Sequence, residues 1–271
     1  MDEIDPEIRG YYERGGEAGR LSGRFPSGPL ELERTQEILL RHLPPAPLEI
    51  LDVGGGPGIY AAWLAERGDR VHLIDPIPLH VEQARSAHPK VTAEAGDARR
   101  LSQPDASVDV VLLLGPLYHL VEREDRLRAL REARRVLRSG GLLFAAAISR
   151  FAALLDLLVR LDRLHEPEVF RVVEAGVRTG VFRGAEGAEL FTTAYLHRPE
   201  ELRDEVLESG FELDAVLNVE GPGFLVHDFE TRARDPARRE AMLEAARLVE
   251  AEAAMLGASS HLLAIARAPA I

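Results

Sequence analysis

Between residues 48 and 148 the chain alternates short, uniformly apolar runs with amphipathic segments, and that alternation leaves few folds open. The apolar runs at 48–53, 71–75, 91–95, 108–114 and 142–148 have strand length, and the segments between them have helical spacing. In the stretch 126–137, Leu127, Leu130, Ala133 and Leu137 recur on one helical face, and Gly140-Gly141 closes it. Strands that are apolar on both faces and separated by helices belong to a parallel sheet covered on both sides. Beyond 148 the pattern changes. Residues 151–164 read as a helix apolar on most sides, 166–196 as irregular, 199–209 as a helix and 211–219 as a sixth strand. A long helix is expected at 235–256, ended by Gly257, with a last strand at 261–266. A chain of 271 residues suffices for one α/β domain with its own core.

The first strand runs straight into Asp52-Val53-Gly54-Gly55-Gly56-Pro57-Gly58, which opens the first helix. Glycines at a strand–helix turn let the backbone bend tightly and approach a ligand with no Cβ in the way. The helix N-terminus behind them offers unpaired N–H groups. A dinucleotide fingerprint needs Gly-x-Gly-x-x-Gly. Counted from Gly54 and Gly56, its third glycine falls on Ile59. The observed phase is Gly54-x-Gly56-x-Gly58, with an acid at Asp52. A nicotinamide-dependent oxidoreductase therefore stays only as the alternative reading of the same fold.

These residues resemble the class I S-adenosylmethionine-dependent methyltransferases, whose first motif is an acid-x-Gly-x-Gly-x-Gly loop. The resemblance continues in order through Asp75 at the end of strand two, Gly96-Asp97-Ala98 after strand three, the strand-four run 109–114 and Arg138-Ser139-Gly140-Gly141 before strand five. It implies S-adenosyl-L-methionine as cofactor. The fold it implies is a Rossmann-like, seven-stranded, mostly parallel sheet with helices on both faces, an antiparallel hairpin of the last strands, and a helical cap. Cofactor contacts are then expected from Asp52, Gly54, Gly55, Gly56 and Gly58, from Asp75, Pro76 and Ile77 at the ribose, from Gly96, Asp97 and Ala98 at the adenine, and from Leu114 and Gly115. Plainer readings stand beside these. Asp75 bonds the N-terminus of the next helix, Asp97 is a turn acid, and Asp52 either orients the glycine loop or meets the donor's ammonium. A non-catalytic S-adenosylmethionine-binding protein is the other alternative.

On the acceptor side the chain reads Gly115-Pro116-Leu117-Tyr118-His119-Leu120, without the acid or amide that grips an exocyclic amine in nitrogen-methylating members of the family. This form resembles a bacterial branch acting on small metabolites, as do the flanks Tyr11-Tyr12-Glu13-Arg14-Gly15 and 191–200. His119, as a base with a pKa near neutrality, and Tyr118 are the catalytic candidates. Substrate contacts are expected from Tyr12, Arg20, Phe151, Tyr195 and His197, with Leu154, Leu155 and Leu158 joining Phe151 in a cap. Tyr11, Tyr12, Arg20 and Arg24 lie in a segment that related enzymes close as a lid, where an arginine suits the methionine carboxylate. The resemblance thus divides a single domain, 1–271, into an N-terminal lid or helical segment (1–43), a cofactor-binding core (48–148), a cap insertion (149–198) and C-terminal helices and hairpin (199–271).

Composition narrows the partners. A net charge of −12 argues against nucleic acid, which needs a basic surface to displace counterions. The arginines at 123–138 are interleaved with Glu122, Glu124, Asp125 and Glu132, as on a solvated helix face. The absence of cysteine excludes a disulfide scaffold, a thiolate metal site and a cysteine nucleophile. No His, Asp or Glu cluster has ligand spacing, so no metal is expected. The apolar stretch 142–159 is broken by Arg150 and Asp156, and the N-terminus is acidic where a signal peptide would be basic. The expectation is a cytoplasmic protein with a small-molecule acceptor and no membrane partner, with a homodimer left open.

Overall fold

The computed structural model describes residues 4–24, 27–184 and 190–270. Nine strands form among them: β1 (Glu49–Val53), β2 (Arg70–Asp75), β3 (Thr92–Ala95), β4 (Val108–Leu113), β5 (Leu137–Ser149), β6 (Val181–Phe182), β7 (Ala194–His197), β8 (Glu212–Asn218) and β9 (His261–Arg267). The helices are α1 (Pro6–Tyr12), α2 (Gly28–His42), α3 (Ile59–Arg67), α4 (Pro78–Ala87), α5 (Pro116–His119), α6 (Arg123–Val136), α7 (Ala152–Leu155), α8 (Pro167–Thr179), α9 (Pro199–Glu208), α10 (Phe229–Arg234) and α11 (Pro236–Val249).

Strands β3, β2, β1, β4 and β5 lie side by side and parallel. β9 runs antiparallel along the far edge of β5, and β8 pairs antiparallel with β9. Successive strand residues face opposite ways, which is why the strands are apolar throughout. Ile50, Val110, Leu142 and Phe144 pack against α3 and its neighbours through Leu39, Ala61 and Leu64. Leu51, Val111, Leu143 and Ala145 pack on the other face against Leu130 and Ala133 of α6 and Leu202 of α9. The doubly covered sheet and its final hairpin are thus as expected.

Several boundaries differ. Nine strands replace seven because 166–196 is not irregular: it holds α8, β6 and β7. β5 is long enough to outrun β4. Pairing with β4 ends at Ala145, and the free edge at Ile148 and Ser149 takes β7 instead. Leu137 is the first residue of β5 rather than the last of a helix, and Gly140 lies inside that strand with φ +74°. The helix expected at 151–164 is only the short α7 followed by a π-turn at Asp156–Arg160. The helix expected at 235–256 is α10 and α11, because Pro236 cannot continue a helix as an N–H donor but suits a first turn. Among the described residues no helix is long and apolar enough to cross a membrane.

Candidate functional site

At the C-terminal ends of β1, β2 and β4 lies a cavity of about 440 Å³, within the range of small-ligand sites. The glycine turn forms its floor. Gly54 has φ +69°, and a Cβ there would lie 2.7 Å from the Pro116 ring, so the turn after β1 closes against α5 only with glycine. The Gly56 and Ile77 amides both donate to Asp75 (2.9 Å each), and His80 Nδ1–H donates to the same carboxylate at 3.0 Å. Asp75 is therefore both the helix-terminus acceptor of the plainer reading and a lining group of the cavity. A carboxylate has about four acceptor positions, so bonding capacity remains.

Two groups in this cavity are buried without partners. Among the described residues neither carboxylate oxygen of Asp52 has a hydrogen bond of ordinary geometry, the Ala61 amide approaching the carboxylate only weakly, and His80 Nε2 has none. Burial, reinforced by the negative charge of Asp75, pushes Asp52 up to about 7. A buried, unpaired carboxyl group at a glycine-floored cavity is suited to a cationic ligand group. Pro76, Ile77, Gly55, Gly96, Ala98, Leu114 and Gly115 also line the cavity. So does Asp97, although Arg99 binds it at 2.6 Å and in turn reaches Asp125. Burial opposes ionisation of Asp97, but the Arg99 bonds hold it below the usual carboxylate range. Gly58 departs from expectation. It caps α3 at φ +91° and faces His88 and Ala84 of α4, off the cavity lining.

The N-terminal segment covers this cavity with Ile8, Tyr12, Glu17, Arg20 and Leu21. Tyr12 O–H meets His119 Nε2 at 2.6 Å, and His119 Nδ1 meets the Thr193 carbonyl at 3.3 Å. A carbonyl only accepts, so Nδ1 carries the proton and the Nε2 lone pair receives the Tyr12 hydroxyl. Burial pushes His119 down to about 4. Arg20 is held by Glu17 and Glu31, each at 2.6 Å. The Arg24 side chain lies outside the described residues.

A second cavity of about 460 Å³ adjoins the first, and Tyr12, Arg20 and Tyr118 line both. Its apolar lining comes largely from the cap, through Ala152, Leu157, Phe182 and Phe191, and charged groups including Arg14, Asp156, Arg160 and Arg163 share the wall. Ala152 and Leu157 take the lining places expected of Phe151, Leu154, Leu155 and Leu158. Phe151 instead packs near Gly257 and beneath Arg198, and Leu158 is exposed. Tyr195 and His197 line neither cavity. They belong to a buried network: Arg126 grips Glu205 (2.7 and 3.0 Å) and stacks 3.7 Å from the Tyr195 ring, and His197 Nε2 lies 3.3 Å from Glu205. Their role is to bind the cap to α6 and α9.

Sequence reasoning missed Glu31, Glu220 and His261, whose ligand-type atoms lie within 4.8 Å of one another. Glu31 and His261 line the second cavity. Spacing could not find them, because they are remote in the chain. It also missed His80, for which the signal was present: it stands two residues into the helix opened by Pro78, facing back to the end of β2.

Together the doubly covered sheet and the glycine-floored cavity at its switch point define a Rossmann-like nucleotide-cofactor site. Residues 50–141 match the family model described as a methyltransferase domain. An uncharacterised methyltransferase of Mycobacterium tuberculosis is 42% identical over 99 residues, 36% of this chain and 39% of that protein. A ubiquinone biosynthesis O-methyltransferase of Methylocella silvestris is 32% identical over 170 residues, 54% of this chain and 65% of that one. A solved S-adenosylmethionine-dependent methyltransferase of Thermotoga maritima, titled a possible histamine N-methyltransferase, shares the fold at TM-score 0.60. Its identity is 18%, with 96% of this chain and 98% of that one covered. Residues 50–141 are thus similar to a methyltransferase domain set on a Rossmann-like fold, and the chain spans only about two fifths of the first curated relatives it matches.

Proposed function

We propose that this protein transfers the methyl group of S-adenosylmethionine to a small molecule held in the second cavity. The observation that carries this reading is the pair of adjoining cavities with Tyr12, Arg20 and Tyr118 as their shared wall. The donor, when bound, supplies a methyl group already activated on a sulfonium, so alignment and exclusion of water are the protein's main tasks. Asp75 accepts from the ribose hydroxyls, the 96–98 turn holds the adenine, and Asp52 meets the donor's cationic end. The lid of residues 4–21 excludes water. Thr193 O–H ties it to the cap through Glu7 (2.5 Å), and Tyr12 ties it to His119.

Within this reading His119 is a positioning residue. Its lone pair receives the Tyr12 hydroxyl and its basicity is low, so it serves better to seat the lid than to take an acceptor's proton. The names of the relatives differ on the acceptor atom, oxygen in one and nitrogen in the other. The test is calorimetry with S-adenosylmethionine and S-adenosylhomocysteine, followed by radiolabel transfer to a panel of aromatic and amine metabolites. Donor binding in the micromolar range, about −8 kcal/mol, with transfer to at least one acceptor is expected. Folded protein that binds neither ligand would end the proposal, and binding without any transfer would favour a non-catalytic donor-binding protein.

A further inference from the structure

The second cavity ends on a charged cluster that the donor site does not use. Glu220 is 1% exposed, and its carboxylate is fully engaged on one side of the cluster. Oε2 accepts from Ser259 O–H (2.8 Å) and from the His261 amide (3.0 Å), while Oε1 meets His261 Nδ1 at 2.5 Å. A carboxylate only accepts, so Nδ1 carries a proton and the ring is fixed in orientation. The His261 side chain remains 17% exposed and lines the cavity. Among the described residues its Nε2 has no hydrogen-bond partner. Glu31 lies 3.9 Å from Nδ1 on the α2 side, and Arg20 occupies Glu31 at 2.6 Å.

We infer that the His261–Glu220 pair is the polar anchor for the methyl acceptor, and that it selects an aromatic ring bearing an ionised oxygen. This rests on the reading of the second cavity as the acceptor site. Burial disfavours a charged imidazole, but Glu31 and Glu220 outweigh it and the nearby Arg20, and raise His261 to about 9. At neutral pH the ring is therefore a cation with Nε2–H as a free donor. Such a group binds a phenolate or aromatic carboxylate through a charge-assisted hydrogen bond and repels an ammonium. The apolar part of the wall, with Phe182, Phe191 and Tyr118, suits the ring that carries the oxygen. Of the other charged lining groups, Arg160 is held by Asp156 (2.5 Å), Arg163 by Glu166 (2.8 Å), and Arg14 lies over the Tyr11 ring. A phenol entering the site leaves its proton to solvent water. A divalent metal fits these residues poorly, since it would have to displace the Nδ1 proton beside the Arg20 guanidinium.

The probe is 4-nitrophenol, whose phenolate is yellow and whose ionisation is read by absorbance, titrated with excess protein saturated with S-adenosylhomocysteine. An apolar cavity lacking a cation raises a bound phenol's pKa, whereas the proposed anchor lowers it. The expected result is about tenfold preference for the phenolate, a fall of about one unit in the bound probe's pKa. Benzoate should displace the probe and benzylammonium should not. His261→Gln should reverse the sign of the shift. Glu220→Gln, which keeps the imidazole but removes the charge behind it, should abolish most of it, with circular dichroism confirming the fold of both variants. An unshifted or raised pKa in the unmutated protein, no binding, displacement by benzylammonium, or an unchanged shift in both folded variants overturns the inference. If S-adenosylhomocysteine gives no heat, the donor reading fails separately, because the probe reads the second cavity by itself.

Discussion

The two adjoining cavities are built by opposite means. The floor of the proposed donor cavity takes its polar groups from loops at the ends of neighbouring parallel strands, Asp52 to Gly56, Asp75 to Ile77 and Gly96 to Ala98, beneath Tyr12, Glu17 and Arg20 of the N-terminal segment. Each loop is a few residues long and self-contained. The second cavity takes one charged cluster from residues 20, 31 and 261, with residue 220 behind them, and from the cap both apolar groups and the Asp156–Arg160 ion pair (2.5 Å). In the donor cavity a carboxyl group lies buried without a partner. In the other, charge is paired in advance, with a cation held between carboxylates. A shared cofactor demands a constant local shape, while an acceptor site is assembled by whichever segments the fold brings to its rim.

The sharpest way to break this comparison is at Asp75. Its three protein bonds and its place in the donor cavity make it the hinge of that site alone. Asp75→Ala should weaken donor binding by at least about 100-fold, since bonds to a charged group contribute roughly 1.5–3 kcal/mol each. Binding of 4-nitrophenol to the second cavity should change by no more than about threefold. Equal loss at both cavities, or an early melt with normal donor affinity, would show that Asp75 supports the fold and not the donor.

The two cavity histidines offer a smaller contrast with opposite signs. His119 titrates at about 4 in the folded protein against an ordinary value of about 6.5, so the unfolded chain takes up the proton first. Its contribution to stability is lost as pH falls from about 6.5 towards 4. His261 titrates at about 9, so its contribution is fully present below about 6.5 and is lost as pH rises through 9. Thermal melts from pH 4 to 10 should show His119→Gln flattening the acid limb and His261→Gln the alkaline limb. The same limb flattened by both variants would mean that the two environments do not differ as described.

The smallest expected effect is a proton count. Asp52 at about 7 is roughly half protonated at pH 7, and a cationic ligand group beside it favours the ionised form. Binding of S-adenosylmethionine at pH 7 should release about half a proton, measured by calorimetry in buffers of different ionisation enthalpy. Asp52→Asn should abolish the release. An unchanged proton count in that variant would place the donor's cationic end elsewhere.

Much of the lining of the first cavity was legible because its signals are local. Strand, glycine turn and helix are contiguous in 48–67, and a strand-end acid such as Asp75 or Asp97 needs no distant partner to be recognised. Even here spacing overreached at Gly58, where the same residue type serves helix packing against Ala84 and His88. Tyr195 and His197 were misjudged for a related reason. An aromatic and a histidine in a segment without clear periodicity suggest a binding loop, and only the fold reveals Arg126 and Glu205 waiting to bury them. The cap helix was placed out of phase because a π-turn at 156–160 shifts its lining face from Leu158 to Leu157.

The sequence by itself determined the parallel sheet, the order of its loops and the cofactor that those loops suit. The sheet and the order of its loops follow from periodicity and from the steric freedom of glycine, both readable within a dozen residues, and the cofactor from the resemblance those loops bear to a known methyltransferase family. Only the tertiary structure decided what stands at the rim of the second cavity. A parallel strand delivers its last residues to the ligand edge, but β9 runs antiparallel, so it delivers its first. His261 pairs with Ile148 at the end of β5 for that reason alone. β8, antiparallel to β9, ends at the same edge and brings Glu220 beside it. Gly28 then lets the Arg20 backbone lie against the start of α2, where a Cβ would meet the Arg20 carbonyl at 2.2 Å, and so brings Arg20 to Glu31. No spacing encodes that meeting of four segments, because it depends on strand direction and on the close packing of backbones far apart in the chain.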